Sequence, residues 1–429
     1  MVMRSAPRPP NSRLSIPKRG FPPKSWPGEV GTTRLKRSRL PTILPLGVLG
    51  GITVAYFASM SPLPPPPVAA VAPVANVAIV GVPEVYQARG GAGRNGVESV
   101  TALLDVPDSR ARLAMGDNLG PAVARQQFAY MGIHEHVRAL DLAQDVTAWT
   151  AGLGGQISAS PVIVGDLVVA MSNDALHGLD IFSGETQWEL TLGPGMYTPL
   201  AIGRVAYLGG REGVVRAIDT GSGVELWTLP MQGALAGPLA SDGQVVAAVT
   251  REGSVHVFDL SGIPLWTKTV EGIPDDGPVV ADGVVYVTGG TQVHAFSLAS
   301  GDTLWTTELG SMAIAAPAVA NGLAFLSIDS GEVVAINTVL GRETWRHKVL
   351  DSIAGSPTVF GNSIVVLGSK GRITSLDAAS GGCGGDLSGP CQVHWSVSIP
   401  GNPARNSALI RVGDSFVLNT PPFILVFEA

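Results

Sequence analysis

The residues of this chain best suited to chemistry are few and scattered. Its two cysteines, Cys383 and Cys391, lie eight residues apart in the glycine-rich run GGCGGDLSGPC. In an oxidising compartment such a pair is expected to form a disulfide that pins its own loop. A metal centre there would need more ligands than the neighbouring Asp386 and His394 supply. Three histidines, His177, His256 and His294, each stand three residues before a recurring turn residue, and Arg138 and Arg216 hold the same place. A ring of such groups could line a ligand site if the fold let them converge. Elsewhere there is no G-x-S-x-G, no H-E-x-x-H, no P-loop, and no G-x-G-x-x-G between a strand and a helix. The glycine-rich stretch GVPEVYQARGGAGRNG, residues 81–96, follows no βαβ pattern and reads as linker. No catalytic residue, cofactor-binding residue or metal ligand is therefore assigned.

The elements that carry these groups are set by a repeat. Trp149, Trp188, Trp227, Trp266, Trp305, Trp345 and Trp395 follow one another at intervals of 39, 39, 39, 39, 40 and 50 residues. A small residue followed by proline opens each unit, at Pro121, Pro161, Pro199, Pro238, Pro278, Pro317 and Pro357. A fixed period near 40 residues signals stacked supersecondary units. Each unit splits into short runs rich in Val, Ala, Tyr and Phe, such as VVADG, VVYVTGG, QVHAFSL and TLWTTEL, separated by Gly, Asp and Asn turns. Four strands per unit predict an all-β, eight-bladed β-propeller of four-stranded blades, an architecture with few exposed sheet edges. Before each tryptophan comes a turn residue: Asp141, Asp180, Asp219, Asp259 and Asp377 in five units, Ser297 and Asn337 in two. Asp can cap its own backbone amides there. The tryptophans and turn aspartates are accordingly read as structural residues of the blades.

The recurring pattern, a small residue two before the Asp (Ala139, Gly178, Ala217, Ala295, Ala335), then Gly, then Trp, resembles the quinoprotein-type repeat, A-x-D-x-x-T-G-x-x-x-W. The resemblance runs from about residue 100 to 429. That family includes pyrroloquinoline-quinone dehydrogenases and non-catalytic propellers such as the outer-membrane assembly lipoprotein of the BamB type. It implies the propeller fold and leaves function open. In a propeller the His and Arg positions fall on the third strand from the axis, where strands spaced about 4.8 Å apart put neighbouring blades on the order of 10 Å apart. Zinc bonds are about 2 Å, so these side chains are read as hydrogen-bonding positions between blades.

Charge and hydropathy divide the rest. Residues 1–40 hold ten Lys/Arg and one acid, leaving 18 basic and 33 acidic residues, a formal charge of −15, for the remainder. So acidic a body argues against nucleic acid as a partner. Residues 1–40 are expected to be a disordered basic cytoplasmic tail. Residues 41–60 carry no charge over 20 positions, about 30 Å of helix, and read as one N-terminal transmembrane helix in the lipid bilayer with its basic flank inside. No cysteine stands near the N-terminus, a departure from lipid-anchored relatives. Residues 61–95 are a Pro/Gly-rich linker, within which 76–82 could form a strand. Residues 96–429 make the propeller, whose last blade is shared between 96–117 and 407–429. In that reading Asp105 and Leu113 take the Asp and Trp places of a worn repeat, and 97–104 form an extra strand or a loop.

These features predict a single-pass protein of the bacterial inner membrane, with its propeller in the periplasm. It would act without a cofactor as a protein–protein interaction scaffold, accessory subunit or assembly factor, contacting a membrane protein or complex on the periplasmic side. A quinone-dependent dehydrogenase and a small-ligand sensor are the alternatives. A dehydrogenase normally carries long inter-blade insertions, whereas here one insertion of about ten residues interrupts blades of about 40.

Overall fold

The computed structural model describes residues 85–87, 94, 97–99, 108–114, 122–157, 159–378, 393–400, 403, 407, 409–412, 415–420 and 423–428. Contacts divide the chain into residues 1–75 and 76–429, and every described residue belongs to the second unit. The basic tail, the span 41–60, the candidate strand 76–82, Asp105 and both cysteines lie outside the described residues. Among the described residues no helix is long and apolar enough to cross a membrane.

Thirty-four strands of the described residues fall into eight sheets, six of four strands and two of five, each built on four antiparallel strands in meander order. Blades 1 to 7 start with the strands 123–125, 162–164, 200–202, 240–241, 279–281, 318–320 and 358–360, and end with strands that carry the seven repeating tryptophans. Blade 8 draws on both ends of the unit. Leu409–Val412, Ser415–Thr420 and Phe423–Glu428 form its first three strands, and Asp108–Ala114 pairs antiparallel with Phe423–Glu428 as its fourth. First strands touch from blade 8 through blade 3, between blades 4 and 5, and between blades 6 and 7, and so lie around the axis.

The core follows from the strand pattern. Second and third strands are buried on both sides, as in Leu323–Ile328 and Glu332–Asn337, because each sheet is sandwiched between two neighbours. Fourth strands are exposed on alternate residues, with the tryptophan position turned inward. The apolar side chains gather into eight clusters, one in each interface between blades. The cluster joining Ala129, Met131 and Ile133 of blade 1 to Ile410, Val417 and Val426 of blade 8 closes the ring.

The tryptophans stitch these interfaces. The indole nitrogens of Trp149, Trp188, Trp227, Trp266 and Trp305 donate to carbonyls of Ile181, Thr220, Leu260, Leu298 and Thr338 in the following blade, at 2.7–3.1 Å. Trp345, 1% exposed, makes no such bond, and Trp395 is buried opposite Ser375. Within their own blades five indoles face Ala or Gly: Ala139, Gly178, Ala217, Ala295 and Ala335 sit directly across from their tryptophans, whereas Trp266 faces Val257. At Gly178 even a Cβ would lie 2.2 Å from the Trp188 ring. The turn carboxylates act locally. Asp141 accepts from the amides of Ala143 and Gln144, Asp180 from Phe182 and Ser183, Asp219 from Ser222, and Asp259 from Ser261 and Ile263. Asn337 does the same for Val339 and Leu340, and Asp377 ends the third strand of blade 7.

Candidate functional site

The His and Arg positions fall on third strands and do not converge. The side-chain partners of His177, His256, His294 and Arg216 lie on the same blade, which corrects the expectation of bonds between blades at His177, His256 and Arg216, while His294 also meets the backbone of Glu271 on the connector from blade 4. His177 shares a 3.0 Å hydrogen bond with Ser172 and lies 3.8 Å from Glu189 across the strand pair. His256 and His294 pair with Thr267 and Thr306, each at 3.1 Å. Arg216 bridges Glu212 and Glu225 at 3.0 Å. Directly opposed residues of an antiparallel pair have Cβ atoms about 5 Å apart, nearer than the adjoining blade. Burial holds His177, His256 and His294 below the ordinary imidazole range; Glu189 and Asp174 partly oppose this at His177, as Glu271 does at His294. Burial thus disfavours the charged form of all three. Among the described residues no group of three or more His, Cys, Asp or Glu side chains could hold a metal ion.

What stands out instead is one face of the ring. In a four-stranded meander, the connectors from fourth to first strand share a face with the second-to-third turns. On three consecutive connectors this face exposes a large apolar side chain: Ile273 (70% exposed) between blades 4 and 5, Met312 (52%) between 5 and 6, and Leu350 (85%) between 6 and 7. The backbone fixes these connectors against the next blade. Gly290 N donates to Ile273 O at 3.3 Å, and Asp329 N to Met312 O at 2.9 Å. Around the row the exposed acids Glu252, Glu271, Asp275, Glu308 and Asp329 outnumber the exposed bases Arg251, Lys348 and Lys370. The opposite face also exposes Phe182, Ile263, Val339 and Leu340, but in third-to-fourth turns of blades 2, 4 and 6, with a blade between each. An apolar row rimmed by charge marks a contact surface. The sequence signal for it is a large apolar residue in each of three successive connectors, Ile273 and Met312 seven residues after their tryptophans and Leu350 five after its own.

Comparison with known proteins places this geometry in context. The family profile described as outer membrane protein assembly factor BamB matches residues 108–209, 211–311 and 289–421. The outer membrane protein assembly factor BamB of Bordetella pertussis is 28% identical over 220 residues, covering 47% of this chain and 57% of that protein. Its counterpart in Burkholderia pseudomallei is 29% identical over 215 residues, covering 45% of this chain and 56% of the other. The chain thus spans less than two thirds of the length of these curated relatives. The solved structure of BamB from Moraxella catarrhalis superposes with a TM-score of 0.61 at 18% identity, over 75% of this chain and 98% of that one, and shares the fold.

Proposed function

The chain belongs to the family described as outer membrane protein assembly factor BamB, and on that premise we propose that its propeller is a non-catalytic scaffold. It binds a membrane protein of the cell envelope as an accessory subunit or assembly factor. The observation that carries this reading is the apolar row Ile273, Met312 and Leu350 on consecutive connectors, set among an excess of acids. Such a surface suits a partner segment that presents apolar side chains flanked by Lys or Arg. The acidic body favours encounter with it mainly through association rate. Connectors already tied to the next blade need little ordering on binding, which limits the entropic cost.

The amino-terminal sequence supports a tether. Twenty uncharged residues after a strongly basic tail would hold the propeller on the periplasmic side of the inner membrane and raise its effective concentration near a membrane partner. The dehydrogenase alternative has less support, since blades of about 40 residues with a single insertion leave few loop residues to enclose a quinone.

The test is recovery of partners from detergent-solubilised native membranes, comparing the full chain with an Ile273→Asp, Met312→Asp, Leu350→Asp variant of unchanged thermal stability. A membrane protein captured by the first and lost from the second supports the reading. Equal capture by both removes this face from it, and no captured membrane protein with the full chain removes the scaffold. A purified chain that carries stoichiometric pyrroloquinoline quinone would favour the enzyme.

A further inference from the structure

The first strands that surround the axis leave one backbone edge each without a partner inside the blade. Part of this inner rim is taken by the chain itself, upstream of the first repeat. Val85–Tyr86 adds antiparallel to Val162–Val164 of blade 2, Val85 opposite Val164 and Tyr86 opposite Ile163. Gln87 continues the contact onto blade 3. Its side-chain amide donates to Ala201 O at 3.1 Å and accepts from Ala201 N at 3.1 Å, so it imitates one more strand residue. Val97–Ser99 then adds parallel to Val359 and Phe360 of blade 7. Antiparallel on one first strand and parallel on another, the two limbs run in opposite senses along the axis.

Arg94, between the two limbs, is 4% exposed. Its Nε donates to Leu239 O at 2.6 Å, and Nη2 donates to Pro199 O at 2.9 Å and Thr198 O at 3.2 Å. These three carbonyls immediately precede the first strands of blades 4 and 3. A desolvated guanidinium is costly unless its planar donors are met. Here backbone dipoles meet them, at positions that no side-chain substitution in blades 3 and 4 would remove.

We propose that the axial rim of this propeller is a peptide-binding site, and that residues 85–87, 94 and 97–99 are its resident occupants. The site takes an extended segment by strand addition to the inner edges, and it reads an arginine through the carbonyls of Thr198, Pro199 and Leu239. Its ligand class is therefore an extended arginine-bearing peptide, and a foreign one must displace the chain's own. This goes beyond the scaffold reading, which concerns the connectors of blades 4 to 7, and neither depends on the other.

The test uses the full chain. Hydrogen exchange is followed at 97–99, 200–202 and 358–360 in the wild type and in Arg94→Ala. Loss of charge-assisted bonds predicts exchange at least about tenfold faster at those segments, with 205–209 and 214–219 unchanged. A labelled synthetic peptide spanning residues 84–100 should then bind Arg94→Ala and not the wild type, and the same peptide with alanine in place of Arg94 alone should bind at least about tenfold more weakly. Should Arg94→Ala raise exchange throughout the ring, Arg94→Lys, which keeps the charge without the planar fork, carries the same comparison. Unchanged exchange at 200–202 and 358–360, or a loosened chain that ignores the peptide, overturns the proposal.

Discussion

Two glycines of blade 5 separate backbone strain from packing against a tryptophan. Gly283 and Gly301 have nearly the same left-handed φ, +73° and +72°. A Cβ on Gly283 would meet nothing within 4 Å. On Gly301 it would lie 2.7 Å from Cδ2 of Trp266, 2.9 Å from Cε3 and 3.0 Å from Cγ. Gly283→Ala therefore carries only the left-handed cost, about 1–2 kcal/mol. Gly301→Ala carries that cost and must also shift an indole held by a 2.8 Å bond to Leu298 O. Overpacking adds about 1–3 kcal/mol and a weakened hydrogen bond about 1 kcal/mol. The expected excess of Gly301→Ala over Gly283→Ala is about 2–4 kcal/mol, read from urea unfolding curves by linear extrapolation. A difference below about 0.5 kcal/mol would show that the indoles yield freely, and would refute their role as rigid stitches between blades.

Other outcomes follow from the same contacts. Burial depresses His177, His256, His294 and His347 in the folded chain, while unfolded imidazoles protonate near pH 6.5. Stability is then full above about pH 6.5 and falls as the pH drops below it; urea midpoints between about pH 7.5 and 5 should show this, with a shallower acid slope in His256→Asn. Arg346 links Glu343 at 2.8 Å, Glu332 at 3.3 Å and the blade 5 carbonyl of Leu309 at 3.0 Å. Arg346→Ala should cost about 1–2 kcal/mol, with Arg346→Lys recovering less than half because it lacks the fork. Cys383 and Cys391 are proposed to pair, so protein from an oxidising compartment should resist alkylation under denaturing conditions until it is reduced.

The propeller and its blade count are legible in the sequence because its largest side chain recurs in phase with its turn residues. A mean spacing near 40 leaves room for four short strands, and Ala139, Ala217 and Ala295 mark where an indole must fit. Which edge a strand joins is not legible. Val97–Ser99 has the look of a blade strand, yet it pairs with the inner edge of blade 7, since alternation specifies strand character and not the partner. Arg94 is hidden for a different reason. In a glycine-rich run an arginine reads as solvated, and its acceptors are backbone carbonyls more than 100 residues away in sequence. The connector row is only faintly visible, because a single exposed Ile, Met or Leu is ordinary and Leu350 stands two residues out of phase with Ile273 and Met312.

Sharing blade 8 between distant segments has a consequence for biosynthesis. Asp108–Ala114 emerges first, but its partner Phe423–Glu428 begins 309 residues after Ala114. At ordinary elongation rates that is about 15 to 60 s. Through that interval the earliest strand of the ring has no sheet to join, and blade 1 lacks the apolar face that blade 8 later supplies. The nascent chain therefore holds an open arc with two bare ends, and Phe423–Glu428 acts as the clasp. Losing the final strand would undo the ring at its seam although seven blades were complete. A holdase that covers both ends until Phe423–Glu428 emerges would protect the chain at its most vulnerable moment.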